Sequence, residues 1–536
     1  MENKICFKEL SAFIECSTGS TPKVETLKKY IDILSEFGYT HLYLGLTDAY
    51  KIEGEPYFNF CRGGYTTEQL QELDDYAAKR GMELRVNIQV LAHLHYLVRH
   101  YAFTGMMDTP DILMVGEEKV YTLIDRMFAS ISVGVKSRII HIGMDEADLL
   151  GTGYYREVHG IVDKKELFFE HLKRVLEIAK KYGYTCEIWA DMFYRMVKGS
   201  TFDDDGVMPN DIKECIPKGI RITHWSYGKQ TDEVLRKQIR QNKAISKSMT
   251  LAGCAWKIGS LAPNNRYSME VMEHQIKTCR EEEVQNYMIT MWSDGGGHCS
   301  YFAVLPALFA ASEMAKGKTL AEIDKAKFRS ITGAAFDDML MADYLDNPFF
   351  KDLENRNNRS YWGLLTDVFL GSHDLMLDEH TNEAYAKLAT IYEKMNVQPF
   401  QLMFRGYALY SKVLSIKMNL GVRVRKAYRE GKKELLRQYA TEDIPQMIVY
   451  MREFMENFTA RWLSENMAFG LEVHHLFYGG LLTRWEYVAK RLLQYLDEGQ
   501  PIEEMEREYL PASIPPTDED SYWEIGWQKI ISNCGI

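Results

Sequence analysis

Eight short apolar segments, rich in β-branched and aromatic residues, recur through the first 320 residues, and this recurrence most limits what the chain can fold into. In order they are SAFIEC (11–16), THLYLGL (40–46), LRVNIQVL (84–91), SRIIHIG (137–143), TCEIWAD (185–191), IRITHWSY (220–227), SMTLAGCAW (248–256) and NYMITMWS (286–293). Amphipathic helical patterns separate most of them. VETLKKYIDILSEFG, TEQLQELDDYAAKRG and ELFFEHLKRVLEIAKKYG are clear cases, and each ends in the glycine that a helix C-terminus favours. Eight strands with intervening helices predict a (β/α)8 TIM barrel, an α/β fold. A doubly wound open sheet is the competitor, but no Gly-rich phosphate loop follows the first strand.

The chain has 536 residues, which is too many for one ordinary domain. Past residue 335 strand signals vanish. Long helical stretches such as ALYSKVLSIKMNLGVRVRKAYREGKKELLRQYA and LLTRWEYVAKRLLQYLDEG take over. The expected division is a catalytic barrel over 1–335 and an α-helical C-terminal domain over 336–536. Two roles stay open for the helical domain: packing beside the barrel mouth, or forming a homodimer interface. Pro511 to Asp520 reads as a surface turn.

A formal net charge of −12 excludes an electrostatic case for nucleic acid. The nine cysteines show no paired spacing, and no Cys/His cluster reads as a metal site, so neither metal nor organic cofactor is expected. The N-terminus lacks an apolar leader, and no run of about 18 apolar residues occurs. The expectation is a cytoplasmic protein with no membrane partner.

In a (β/α)8 barrel the active site lies at the C-terminal ends of the strands. Functional residue types should gather there, and they do. His93 follows strand 3. Strand 4 carries His141 and then Asp145-Glu146. Trp189 ends strand 5, Trp225 and Tyr227 end strand 6, Trp256 ends strand 7, and Trp292 and Asp294 end strand 8. Two adjacent acids repel one another and are poor strand formers. Such a pair can simply cap the next helix, but the ring of tryptophans favours a pocket that grips a pyranose. Glycosidases usually place two carboxyls on opposite faces of the scissile bond, and neighbours in sequence do not flank a sugar that way. They can divide labour on one side, with Glu146 at the glycosidic oxygen and Asp145 under a ring substituent. That arrangement suits catalysis in which a 2-acetamido carbonyl oxygen is the nucleophile.

HIGMDEA (141–147) resembles the signature of glycoside hydrolase family 20, the β-N-acetylhexosaminidases. LTDAYKIEGEPYF, RGGYTTEQLQELDDYAAKRG, IQVLAHL, IWADMF, AGCAWK, MWSDGGGHCS and the helical GGLLTRWEYVAKRL resemble segments of that family's bacterial exo-β-N-acetylglucosaminidases. The resemblance implies a retaining enzyme acting on an oligosaccharide or glycoside with a terminal 2-acetamido sugar. Asp145 would orient the acetamido group. Glu146 would protonate the leaving oxygen and then activate water against an oxazolinium intermediate. Burial beside Asp145 would raise the pKa of Glu146. Trp189, Trp225 and Trp292 would wall the acetamido pocket, Tyr227 would donate to its carbonyl, and Asp294 would hold O4 or O6. His93 and His141 would act as supports.

Three positions depart from the family pattern. Thr18 stands where the resemblance places an arginine, Ser226 where it places an aspartate, and His298 where it places a glutamate. The changed side is the one expected to read O3, O4 and O6. GalNAc, a sulfated GlcNAc or an O3/O4-substituted residue are therefore candidate substrates, with a protonated His298 meeting an anionic substituent. Two other readings remain: a β-glycosidase of altered sugar specificity, and a carbohydrate-binding pseudoenzyme.

Overall fold

The computed structural model of the chain describes residues 5–198, 208–351, 358–371, 374 and 380–508. Eight parallel strands close into a barrel in sequence order. They are β1 (Glu9–Glu15), β2 (His41–Gly45), β3 (Glu83–Asn87), β4 (Ile139–His141), β5 (Thr185–Trp189), β6 (Arg221–Trp225), β7 (Met249–Cys254) and β8 (Asn286–Met291), and β8 pairs back onto β1. All eight expected segments form strands. Several expected segments run past the strand's C-terminal end. LRVNIQVL ceases to pair at Asn87, and β4 is only three residues long. The apolar sequence continues there because the loop itself is buried, not because the ladder does.

The helix α1 (Val24–Phe37) forms as its periodicity requires. Leu27, Tyr30, Ile31, Leu34 and Phe37 fall on one face and are buried, each contributing about 1.5–3 kcal/mol. Gly38 ends it in the left-handed region, with φ 100°, donating to the carbonyls of Leu34 and Ser35. Thr66 opens the next helix, α2 (Thr67–Lys79), through a capping box with Gln69.

The chain packs as two units. The first is Met1–Ala255, Met269–Trp292 and Leu308–Ile323. The second is Trp256–Ser268, Ser293–Ala307 and Asp324–Ile536. Within the second, the helix Gln401–Lys417 packs against Thr381–Lys394 and Ile444–Glu465, and the last of these meets Leu471–Glu498. The long helical stretch at 408–440 is broken at Met418–Asn419, where Asn419 takes φ 58°. The stretch Pro511 to Asp520 lies outside the described residues. Among the described residues, no helix is long and apolar enough to cross a membrane.

The barrel interior is not wholly apolar. Arg85 donates through Nη1 to Glu9 Oε2 at 2.9 Å and to the Tyr43 hydroxyl at 2.8 Å. Tyr43 donates in turn to Glu187 Oε2 at 2.8 Å. Thr223 and Thr250 donate to Glu187 Oε1 at 2.8 and 3.0 Å, and Arg221 donates to Glu9 at 2.6 Å. Burial opposes the charge on Glu187, but Arg221, His141 and Arg85 outweigh it and hold the carboxyl at about 2. Phe13, Tyr43, Trp189, Ala252 and Met288 form the apolar layer of this interior, with Trp225 and Trp292 packed against it.

Removing one member of such a network strands its partners' charges. Arg85→Met is expected to cost about 3–5 kcal/mol, and Thr250→Val about 1 kcal/mol. Urea unfolding of the two variants checks the order. Equal midpoints would show that the network does not carry the barrel.

Candidate active site

Everything at the mouth begins from the shortness of β4. After His141 the chain turns at once. Gly143, Met144 and Glu146 all have positive φ, at 66°, 67° and 52°. Gly143 must be glycine, because a Cβ there would lie 1.9 Å from Gln89 Oε1. That same Oε1 accepts from the Met144 N–H at 3.2 Å. The Nδ1 of His141 accepts from Asn87 Nδ2 at 2.8 Å and from the Gly143 N–H at 3.1 Å. The imidazole proton is thereby placed on Nε2. Burial pushes the His141 pKa down to about 4, so the ring is neutral and serves to fix the turn.

The turn delivers the two acids into different surroundings. The Asp145 side chain is 12% exposed and that of Glu146 45%. Asp145 Oδ1 accepts from Gln89 Nε2 at 2.9 Å, and Oδ2 lies 3.3 Å from His93 Nε2. His93, itself at φ 61°, is 3.8 Å from Glu146 Oε2. Glu146 Oε1 accepts from Arg195 Nη2 at 3.2 Å, and its backbone N–H donates to Asp191 Oδ2 at 2.8 Å. Arg195 sits one helical turn beyond Asp191 and also donates to Asp148 at 2.6 Å.

Burial disfavours the charged form of His93, but Asp145 beside it, helped by Glu146, raises the pKa to about 10. Burial likewise opposes ionisation of Asp145, and His93 and Gln89 outweigh it, so its pKa is lowered. Asp191 is the opposite case. Burial, reinforced by the charge of Asp145, pushes its carboxyl well up.

The aromatic wall assembles beside this pair. Trp189 is buried, with its ring 4.4 Å from His141 and 5.9 Å from Trp292. Phe13 packs on Trp292 at 4.9 Å. Trp225 stacks on Tyr227 at 5.1 Å and 21°, and Trp292 Nε1 donates to the Tyr227 hydroxyl at 2.9 Å. His93, His141, Asp145, Glu146, Trp189, Trp225, Tyr227 and Trp292 thus all lie in the first unit.

Trp256, Asp294 and His298 belong to the second unit. The Trp256 N–H donates to Ser268 Oγ at 2.9 Å, and the Asp294 carbonyl accepts from Gly259 at 3.3 Å. His298 is buried among His474, Phe477 and Tyr361, with Nδ1 3.0 Å from the Tyr478 hydroxyl. Burial drives its pKa down to about 4. At neutral pH the ring carries no charge, which removes the ground for an ionic contact to a substrate substituent. Thr18 is half-buried, and Ser226, the first residue after β6, is buried.

Sequence reasoning missed Gln89 and Arg195. A polar residue inside the apolar run IQVL was the available signal for Gln89. Arg195 carried no signal beyond its i,i+4 spacing from Asp191. Among the described residues no cluster of three or more metal-ligating side chains occurs.

Two family models match the chain. Residues 22–245 match the catalytic domain of glycosyl hydrolase family 20, and residues 337–523 match the Glycoside Hydrolase 20C C-terminal domain. No curated protein matches in sequence. Among solved structures, a GH20 exo-β-N-acetylglucosaminidase from Vibrio harveyi, in complex with N-acetylglucosamine, aligns at 15% identity and TM-score 0.45. That alignment covers 63% of this chain and 58% of that one. A β-N-acetylhexosaminidase from Bacteroides fragilis aligns at 19% identity and TM-score 0.44, covering 57% and 65%. A GH20 β-N-acetylhexosaminidase from Streptomyces coelicolor aligns at 17% identity and TM-score 0.43, covering 61% and 70%. The chain therefore spans less than two thirds of the length of the Vibrio and Bacteroides proteins.

The raised His93 pKa implies a stability term with a definite sign. The His93–carboxylate contact is fully present below the unfolded histidine value of about 6.5. It is lost as pH rises through about 10. The Tm advantage of wild type over His93→Gln should shrink across that window in thermal scans. A difference that stays constant from pH 6 to 10.5 would exclude the ion pair.

Proposed function

We infer the activity from one premise: this chain belongs to glycoside hydrolase family 20, and it is a glycoside hydrolase. We propose that it is a retaining exo-β-N-acetylhexosaminidase, releasing terminal β-linked GlcNAc or GalNAc by substrate-assisted catalysis. The observation that carries this reading is the contrast within the acid pair. Asp145 is nearly enclosed and clamped by Gln89 and His93, while Glu146 next to it remains open.

An enclosed, ionised Asp145 is suited to orient the acetamido N–H and to stabilise the positive charge that develops as its carbonyl oxygen attacks C1. Having the nucleophile within the substrate supplies high effective molarity. The open Glu146 is suited to reach the glycosidic oxygen, first as acid and then, after aglycone departure, as base toward water. Protonated His93 balances the charge of Asp145. Trp225 and Trp292, which are only partly buried, offer apolar faces to the acetamido methyl and the sugar ring, and the buried Trp189 backs them rather than touching the sugar. Tyr227, whose oxygen accepts from Trp292, is placed to turn its hydroxyl toward the acetamido carbonyl.

The wild type should hydrolyse p-nitrophenyl β-GlcNAc or β-GalNAc and leave the β-glucoside, which lacks the acetamide, essentially untouched. Glu146→Gln should lower kcat by about 10²–10⁴-fold, and Asp145→Asn by about 10²–10³-fold. The first-formed sugar should be the β anomer by NMR. Equal turnover of the β-glucoside, or an α product, would sink this reading.

A further inference from the structure

Glu146 must present its carboxyl twice in the reaction above, and the chain holds that carboxyl with a residue so far given no part in it. Arg195 lies on the helix Asp191–Lys198, which begins two residues after β5. Its side chain is 13% exposed. Each nitrogen of its guanidinium meets a different carboxyl. Nη2 donates to Glu146 Oε1 at 3.2 Å, and Nη1 donates to Asp148 Oδ2 at 2.6 Å. Nε lies 3.4 Å from Asp191 Oδ2.

The fork is braced from both sides. Asp191 Oδ2 also accepts the Glu146 N–H at 2.8 Å. One carboxyl therefore fixes the backbone of Glu146 and the stem of the arginine that meets its side chain. The Asp148 N–H donates to the Glu146 carbonyl at 2.8 Å, so the anion on Nη1 belongs to the same turn as the acid. A half-open glutamate otherwise samples several rotamers. Holding Oε1 removes most of that freedom.

The chemistry of the contact then assigns the two oxygens of Glu146. A guanidinium donates and cannot accept. In a carboxylic acid the carbonyl oxygen is the better acceptor, and the other oxygen carries the proton. Oε1, taken by Arg195, stays the carbonyl. The proton goes to Oε2, which lies 3.8 Å from His93 Nε2, the nitrogen that is 3.3 Å from Asp145 Oδ2. We propose that Arg195 is a positioning residue for the hydrolysis. By holding Oε1 it makes Oε2 the atom that gives a proton to the glycosidic oxygen and later takes one from water. The proposal rests on the exo-hexosaminidase reading.

The charges around Glu146 give this contact a measurable sign. Asp145 precedes it and Asp148 follows it in the loop after β4, His93 faces it from the loop after β3, and Asp191 and Arg195 face it from the helix after β5. Burial, reinforced by Asp145, pushes the Asp191 carboxyl well up, so the guanidinium charge falls mainly on Glu146 and Asp148. Removing Arg195 leaves Asp145 and Asp148 as anions beside Glu146, and like charges raise a carboxyl's pKa. The basic limb of the kcat/KM profile, where the free enzyme loses its proton donor, then moves up in pH.

The test compares p-nitrophenyl and p-methoxyphenyl β-glycosides of whichever N-acetylhexosamine the wild type prefers. The methoxyphenolate is the poorer leaving group and depends more on the proton. Arg195→Met should lower kcat/KM for the p-methoxyphenyl glycoside by on the order of 10- to 100-fold. It should slow the p-nitrophenyl glycoside less, and raise the basic limb by about one pH unit. Arg195→Gln should do the same, and it replaces the methionine variant if thermal scans show that one unfolded. Arg195→Lys restores a cation and should return the limb toward wild type. Both glycosides slowed by one factor with the limb unmoved, or a limb displaced as far by lysine as by glutamine, would overturn the proposal and leave the hexosaminidase reading standing. Wild type inert toward both glycosides would overturn both.

Discussion

The charged layer inside the barrel is the constraint on which the rest of the first unit depends. Eight parallel strands enclose a space that side chains must fill. Here part of that space is filled by two guanidiniums, two carboxylates and the Tyr43 hydroxyl that links them. None of these groups is tolerable alone in such surroundings. Paired, they are directional, so each strand carrying one has its register tied to the others. Glu187 pairs in register with His141 on β4, and His141 fixes the turn that carries the acids. Core electrostatics and the geometry of the candidate active site are therefore one connected structure.

Above this rigid base the mouth is strained. His93, Met144 and Glu146 all occupy the left-handed region without being glycine. A backbone holds such conformations only where the surroundings over-determine them. Gln89 does this for the acid turn by bonding both the Met144 N–H and the Asp145 carboxylate. Asp145 is thus held by its surroundings, while Glu146 beside it stays more open.

The barrel was legible because its signals are local. Period-two and period-3.6 patterns and terminal glycines depend on a few neighbouring residues, and they located all eight strands. Their C-terminal ends were less legible, since IQVL and the residues after β4 are apolar for reasons of burial rather than pairing. The acid pair and its flanking tryptophans were also readable, since they sit at positions that the barrel topology marks.

By itself the sequence determined the fold class, the location of the acids and the family, because each is encoded in contiguous motifs. Only the tertiary structure decided which polar groups meet across loops. Gln89 and His93 on Asp145, and Arg195 on Glu146, join residues from separate segments of chain, and no spacing rule announces them. It also decided that Trp256 and His298 belong with the helical unit, and that His298 is neutral. The charge of a histidine depends on its burial and its neighbours, and neither quantity exists until the chain has folded.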